Sequence, residues 1–115
     1  YQDVVIGLAA SGNTPFTCKV MEEANDKKAL TIAISNNPNG KILKFGMVKI
    51  ILDTKEEVIA GSTRLKAGTA QKICLNIISS MVMVKMGRVK NGIMFHMVPT
   101  NKKLRERKLR IERQL

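Results

Sequence analysis

Continuous apolar runs alternate with helical spacing through the first half of the chain. Val4-Val5-Ile6-Gly7-Leu8, opened by Asp3, is the kind of short run that forms a strand covered on both faces. The small and polar residues Ala9 to Pro15 follow, and from Phe16 to about Asp26 the apolar positions take helical spacing. This predicts a helix that turns Phe16, Val20, Met21 and Ala24 toward a sheet. Pro15 suits its first turn, because the missing N–H would have no intrahelical partner there, and Thr14 suits the N-cap. Leu30-Thr31-Ile32-Ala33-Ile34-Ser35 is a second continuous run, closed by the turn-rich Asn36-Asn37-Pro38-Asn39-Gly40. Two such runs joined by a helix make a βαβ unit with parallel strands. A third strand is expected at Met47 to Leu52, and Lys41 to Gly46 leaves room for about one helical turn before it.

The second half reads differently. From Leu65 to Lys85 a long helix is predicted, with Ala70, Cys74, Ile77, Ile78 and Met81 at three- and four-residue spacing. Ile73, Leu75, Val82 and Val84 make its opposite side apolar too. A helix apolar on most faces belongs in a larger core or a subunit interface, and three strands with such a helix leave an open sheet edge. A second copy or another segment is the expected partner, and a homodimer through this helix is the specific expectation. Arg88 to Val98 reads as an irregular or strand-like connection, and Thr100 to Leu115 as a final basic helix. The expected fold is α/β, a Rossmann-like parallel sheet with flanking helices, a long buried helix and a C-terminal basic helix in one domain over residues 1–115. The chain opens at Tyr1 straight into strand-like sequence, as a cut end would.

Composition narrows the partners. A net charge of +11 raises nucleic acid or an anionic membrane. Much of that excess lies in Lys102 to Arg113, where Leu104, Leu109 and Ile111 build no broad apolar stripe, so a solvated helix is the simpler account. Tyr1, Phe16, Phe45 and Phe95 are too few and too scattered for a base-stacking platform, and nucleic acid is not expected. The longest apolar stretch, Ile73 to Val84, is broken by Asn76, Ser79 and Ser80 and falls short of the roughly 20 residues of a membrane span. No secretion leader is evident, and a cytoplasmic protein is the expectation. Cys18 and Cys74 show no metal-ligand spacing and read as buried thiols, so neither metal nor cofactor is expected.

Two segments could carry chemistry. In Ser11-Gly12-Asn13-Thr14 a glycine lets the backbone approach an anion, the helix start offers free N–H groups, and two hydroxyls add donors. That suits a phosphate, although an ordinary turn between strand and helix would have the same sequence. The segment lacks the fingerprints of nucleotide triphosphate and dinucleotide loops. In Glu56 to Lys72, hydroxyls, an amide and three cations crowd the start of the long helix, where cations are unfavourable unless an anion lies between them. Either Ser62 caps that helix while Arg64 and Lys66 reach solvent, or Ser62, Thr63, Arg64 and Lys66 hold an anionic ligand.

Four blocks, Ala9-Ala10-Ser11-Gly12-Asn13-Thr14-Pro15-Phe16, Ala33-Ile34-Ser35-Asn36-Asn37-Pro38, Gly61 to Lys72, and Pro99-Thr100-Asn101-Lys102-Lys103-Leu104, together resemble the N-acetylmuramic acid 6-phosphate etherases of the sugar isomerase (SIS) fold. The resemblance covers almost the whole chain, which corresponds to the later half of a SIS domain. It implies a dimeric lyase that binds a phosphorylated amino sugar and removes D-lactate from N-acetylmuramic acid 6-phosphate in peptidoglycan recycling. Ser11, Gly12, Thr14 and Asn13 would then hold the phosphate, and Ser62, Thr63, Arg64 and Lys66 would contact sugar or phosphate. The family's acid-base glutamates precede the matched stretch, so this chain alone is expected to be inactive, with Glu57 the one weak catalytic candidate. His96 stands where the family carries an acidic residue, and Lys55 where it carries a small one. The alternative that the resemblance implies is a sugar-phosphate-sensing module similar to glucokinase regulatory protein.

Overall fold

The computed structural model describes residues 3–113 and divides into two compact units, Tyr1–Cys74 and Leu75–Leu115. In the first unit, β1 (Val4–Ala9), β2 (Leu30–Ser35) and β3 (Val48–Ile51) form a parallel sheet in the order β1-β2-β3. Val4 pairs with Leu30 and Ala9 with Ser35, while Ile32 pairs with Val48 and Ser35 with Ile51. The expected α/β parallel architecture is therefore present. β2 is the central strand, and Thr31, Ala33, Ile34 and Ser35 are fully buried on it.

Helix α1 (Pro15–Asp26) supplies the first crossover, and a 3-10 turn over Lys41–Lys44 supplies the abbreviated second one. The core gathers Ala9, Met21, Ala33, Ile42 and Leu43, with Val5, Cys18 and Phe45 against them. Gly7 makes room for it: a Cβ there would lie 2.6 Å from Met21 Sδ and 3.0 Å from Ile42 Cδ1. The inward face of α1 differs from the expected one. Met21 and Ala24 are buried with Cys18 half-buried beside them, at three-residue steps, whereas Phe16 is 78% exposed and Val20 40%. The close approach over Gly7 rotates Met21 to the centre of the contact, which carries Phe16 and Val20 to its rim. Both cysteines are half-buried rather than buried.

A polar network joins the far ends of these elements. The Thr31 hydroxyl lies 2.8 Å from Asn25 Oδ1 and 2.9 Å from the Phe45 carbonyl, and it accepts the Met47 N–H at 3.1 Å. Its single proton goes to one of the two acceptors, and Asn25 Nδ2 donates to the Phe45 carbonyl at 2.8 Å. The end of α1, the buried strand and the entry to β3 are thereby fixed to one another.

Helix α2 (Lys66–Lys85) begins in the first unit and continues into the second. Within the chain it stays largely uncovered, as a helix meant for a larger core or a subunit interface would: Ala67 is its one buried residue, and Ile73, Ile77, Met81 and Val84 form an exposed stripe at helical spacing. The apolar stretch read as too short for a membrane also lies within a 20-residue helix that is long and apolar enough, by length and composition, to cross one.

In the second unit α2 closes in a Schellman motif. Gly87 (φ 66°) takes the left-handed position, Gly87 N–H donates to Val84 O at 2.9 Å, and Arg88 N–H donates to Met83 O at 2.9 Å. The connection that follows is a short antiparallel hairpin of β4 (Val89–Lys90) and β5 (Ile93–Met94), turned at Asn91 and Gly92, both with positive φ. Helix α3 (Lys102–Glu112) starts at Asn101, whose Oδ1 accepts the Leu104 N–H at 2.9 Å, and it buries Ile111. Leu115, in the final helix as read from sequence, lies outside the described residues.

Replacing Thr31 by Val keeps the shape and strands the Met47 N–H in the interior. Thr31→Val is expected to destabilise the fold by about 1 to 3 kcal/mol, seen as a lower urea midpoint with an unchanged m-value.

Candidate functional site

Both candidate segments stand at the carboxyl ends of the strands in the first unit. After β1 the chain turns sharply: Gly12 N–H donates to Ala9 O at 3.0 Å with Gly12 at φ 70°. A side chain at Gly12 would lie 2.4 Å from Gly40 Cα, so the loops after β1 and β2 touch backbone to backbone. Gly12 O accepts the Ile42 N–H at 2.9 Å, and Asn37 Nδ2 donates to Ser11 O at 3.0 Å. Ser35 Oγ accepts the Asn37 N–H at 3.0 Å and lies 3.0 Å from Asn37 O.

Within this loop the predicted residues differ in what they have free. Ser11 Oγ accepts the Asn13 N–H at 3.2 Å, leaving its proton to donate outward. Asn13 Oδ1 accepts the Lys41 N–H at 3.1 Å, which braces the loop. Thr14 occupies the N-cap position of α1 without forming the expected side-chain cap. The Phe16 and Thr17 N–H groups of the first turn therefore have no side-chain acceptor, beside the exposed Ser11 and Thr14. Free helix-start amides beside two hydroxyls are the elements of an oxyanion cradle.

The second segment is a compact coil. Ser62 N–H donates to Ile59 O at 3.0 Å, Leu65 N–H to Ser62 O at 3.2 Å and Gly68 N–H to Thr63 O at 2.8 Å. Ser62 does not cap α2. Glu57 does: its two carboxylate oxygens accept the Lys66 N–H and the Ala67 N–H, each at 2.9 Å. The hydrogen bond from Ala67, then that from Lys66 and the Lys66 charge, hold the Glu57 carboxyl below the usual carboxylate range against the opposing effect of burial. A carboxylate of the protein itself thus caps the start of α2, beside these cations. Arg64 and Lys66 are exposed, form no ion pair among the described residues, and line an open groove of about 600 Å³ with Leu65, Thr69, Ala70 and Ile73.

The second segment is tied to the strand ends through Gln71, the amide noted at the start of the long helix, and Asn36, to which the sequence assigned no role. Asn36, just past β2, accepts the Gln71 Nε2–H of α2 at 2.7 Å, and its N–H donates to Ala10 O at 3.2 Å. Asparagines directly after strands were the available signal, since such residues satisfy loop backbone. In the second unit, His96 is exposed in an irregular stretch. Lys55 takes φ 57°, the left-handed region where a glycine is unstrained, in keeping with its standing where the resemblance puts a small residue.

The chain is thus a parallel α/β domain whose strand-end loops carry hydroxyls, uncapped helix-start amides and exposed cations. The chain matches the SIS domain family over residues 1–82, and it belongs to that family. It is 51% identical to the N-acetylmuramic acid 6-phosphate etherase of Oceanobacillus iheyensis over 95% of its own length and 37% of that relative. It is 49% identical to the enzyme of the same name from Clostridium acetobutylicum, over 96% of the chain and 36% of the relative. A Francisella philomiragia protein so named is 50% identical over 92% of the chain and 36% of its own length. The chain therefore spans little more than a third of these relatives.

The Glu57 cap is sensitive to pH. Its folded-state pKa is lowered, so its contribution is present above the ordinary carboxylate range and is lost as pH falls through the lowered value. Amide resonances of Lys66 and Ala67 should hold steady near neutrality, then shift together on acidification below the ordinary carboxylate range. Glu57→Gln should expose the same two amides to faster hydrogen exchange at neutral pH.

Proposed function

We propose that this chain is the sugar-phosphate-binding portion of an N-acetylmuramic acid 6-phosphate etherase-type lyase, an enzyme class that cleaves a D-lactyl ether to give N-acetylglucosamine 6-phosphate and D-lactate. The observation that carries the reading is identity near 50% to relatives of that name across nearly the whole chain, including both candidate segments. Those names favour the lyase over the sugar-sensing alternative.

In this reading the phosphate sits on the Ser11-Gly12-Asn13-Thr14 loop. The hydroxyls of Ser11 and Thr14 and the uncapped first turn of α1 donate to it, Gly12 lets it approach, and Asn13 keeps the loop in shape. Arg64 and Lys66 supply positive charge from the other rim, with Ser62 and Thr63 beside them for the sugar hydroxyls. Glu57 has a site-shaping role ahead of a catalytic one, because both its oxygens already hold backbone N–H groups. Breaking an ether by α-proton abstraction needs a general base and a general acid in place. The 115 residues by themselves are expected to bind without turnover.

The exposed stripe of Ile73, Ile77, Met81 and Val84 supports a homodimer in which α2 is covered by a second copy. Protein is a better cover for it than lipid, since Lys72, Asn76, Ser79 and Ser80 would otherwise enter hydrocarbon. A cytoplasmic location fits that reading.

Calorimetric titration with glucosamine 6-phosphate, against glucosamine and inorganic phosphate, tests the proposal. Wild type should prefer the sugar phosphate, and Arg64→Ala should weaken it about ten- to a hundredfold, because hydrogen bonds to charged groups contribute roughly 1.5 to 3 kcal/mol. Identical responses of the two proteins, or resonance shifts confined to Lys102 to Arg113, would sink it. For the dimer, sedimentation at micromolar concentration should show self-association that Ile77→Lys with Met81→Lys abolishes.

A further inference from the structure

We propose that Asn36 is a positioning residue that seats the start of α2 on the strand ends, and so sets the span between the Ser11–Thr14 loop and the Arg64–Lys66 rim. The consequence for ligands rests on the sugar-phosphate reading; the seating itself does not. Asn36 is the first residue after β2 and uses its amide fully. Its N–H donates to Ala10 O at 3.2 Å, Nδ2 donates to Leu52 O at 3.0 Å and lies 3.4 Å from Thr54 Oγ1, and Oδ1 accepts from Gln71 Nε2 at 2.7 Å. One residue thus gathers the loop after β1, the exit of β3 and the second turn of α2.

No other side-chain hydrogen bond among the described residues joins α2 to the sheet. Glu57, which holds the other end of the same turns, ties α2 only to the loop preceding it, nine and ten residues back along the chain. That loop can move with the helix, whereas Asn36 is anchored to the paired backbone of β2, in register with β1 and β3. Gln71 and Lys66 lie about 7.5 Å apart along the helix axis, so a shift at Gln71 is carried to the cationic rim as a rigid displacement. A half-buried side-chain pair at 2.7 Å is also costly to break, because each amide is left facing a partner it no longer reaches.

A ligand that touches both rims should therefore sense this bond, and one that touches a single rim should not. In the full chain, Asn36→Ala and Gln71→Ala should each weaken glucosamine 6-phosphate about five- to tenfold, and the double variant should lose no more than the weaker-binding single one. Affinity for inorganic phosphate should stay unchanged in all three. Amide exchange over Ala67 to Ala70 should quicken in both single variants. Additive losses, or equal losses for inorganic phosphate, would show Asn36 acting on stability alone and overturn the proposal. If wild type does not bind glucosamine 6-phosphate at all, the sugar-phosphate reading fails, and hydrogen exchange still decides the seating: unchanged exchange at Ala67 to Ala70 refutes it. Should Asn36→Ala not fold, Gln71→Ala gives the same readouts from the helix side.

Discussion

Parallel strands end with backbone groups that no neighbouring strand completes, and the first unit is organised by how those groups are satisfied. Each strand exit needs donors and acceptors from outside the ladder. Short amide side chains supply them here: Asn13 to Lys41, Asn37 to Ser11, and Asn36 to Leu52. Because every one of these bonds crosses between loops, completing the backbone also pulls the loops together. The Gly12–Gly40 contact is the closest result, and it leaves the uncapped start of α1 at the rim. The candidate site is thus a by-product of ending a parallel sheet economically.

Electrostatics on the second rim follows a similar logic. A helix start attracts negative charge, and the first turn of α2 presents Lys66 with Arg64 just before it. Glu57 resolves the conflict by placing a carboxylate on the amides themselves. The two cations are then released from the dipole and stand over an open groove. The two helix starts, one on each rim, are therefore in opposite states, that of α1 open to an anion and that of α2 already holding one.

Apolar surface stays uncovered on the sheet edges and on α2. β1 and β3 are both edge strands, with Val4, Ile6, Val48 and Ile51 substantially exposed, and α2 is open along its length. Exposed apolar surface on this scale is characteristic of an interface rather than of a free face. The relatives, nearly three times as long as the matched stretch, have chain in hand to cover much of it.

The chain's own sequence was enough for every element of the first unit and for their parallel arrangement. Continuous apolar runs and helical spacing are local signals, and the observed β2 (Leu30–Ser35) coincides with the run that predicts it. The Ser11–Thr14 loop was legible for the same reason, since glycine, hydroxyls and a helix start are adjacent in the chain. The Asn91-Gly92 hairpin was legible in part: the segment reads as an irregular or strand-like connection, and the Asn-Gly turn signal marks where its two short strands reverse. What the tertiary structure decided is which groups are already spent. Glu57 is nine residues from Lys66, Gln71 is 35 from Asn36, and Lys41 is 28 from Asn13, so no local pattern shows that they are hydrogen-bonded. The facing of α1 was decided likewise. Its periodicity allowed several inward faces, and only the void over Gly7 selected Met21, because close packing is a property of two surfaces and a sequence displays one at a time.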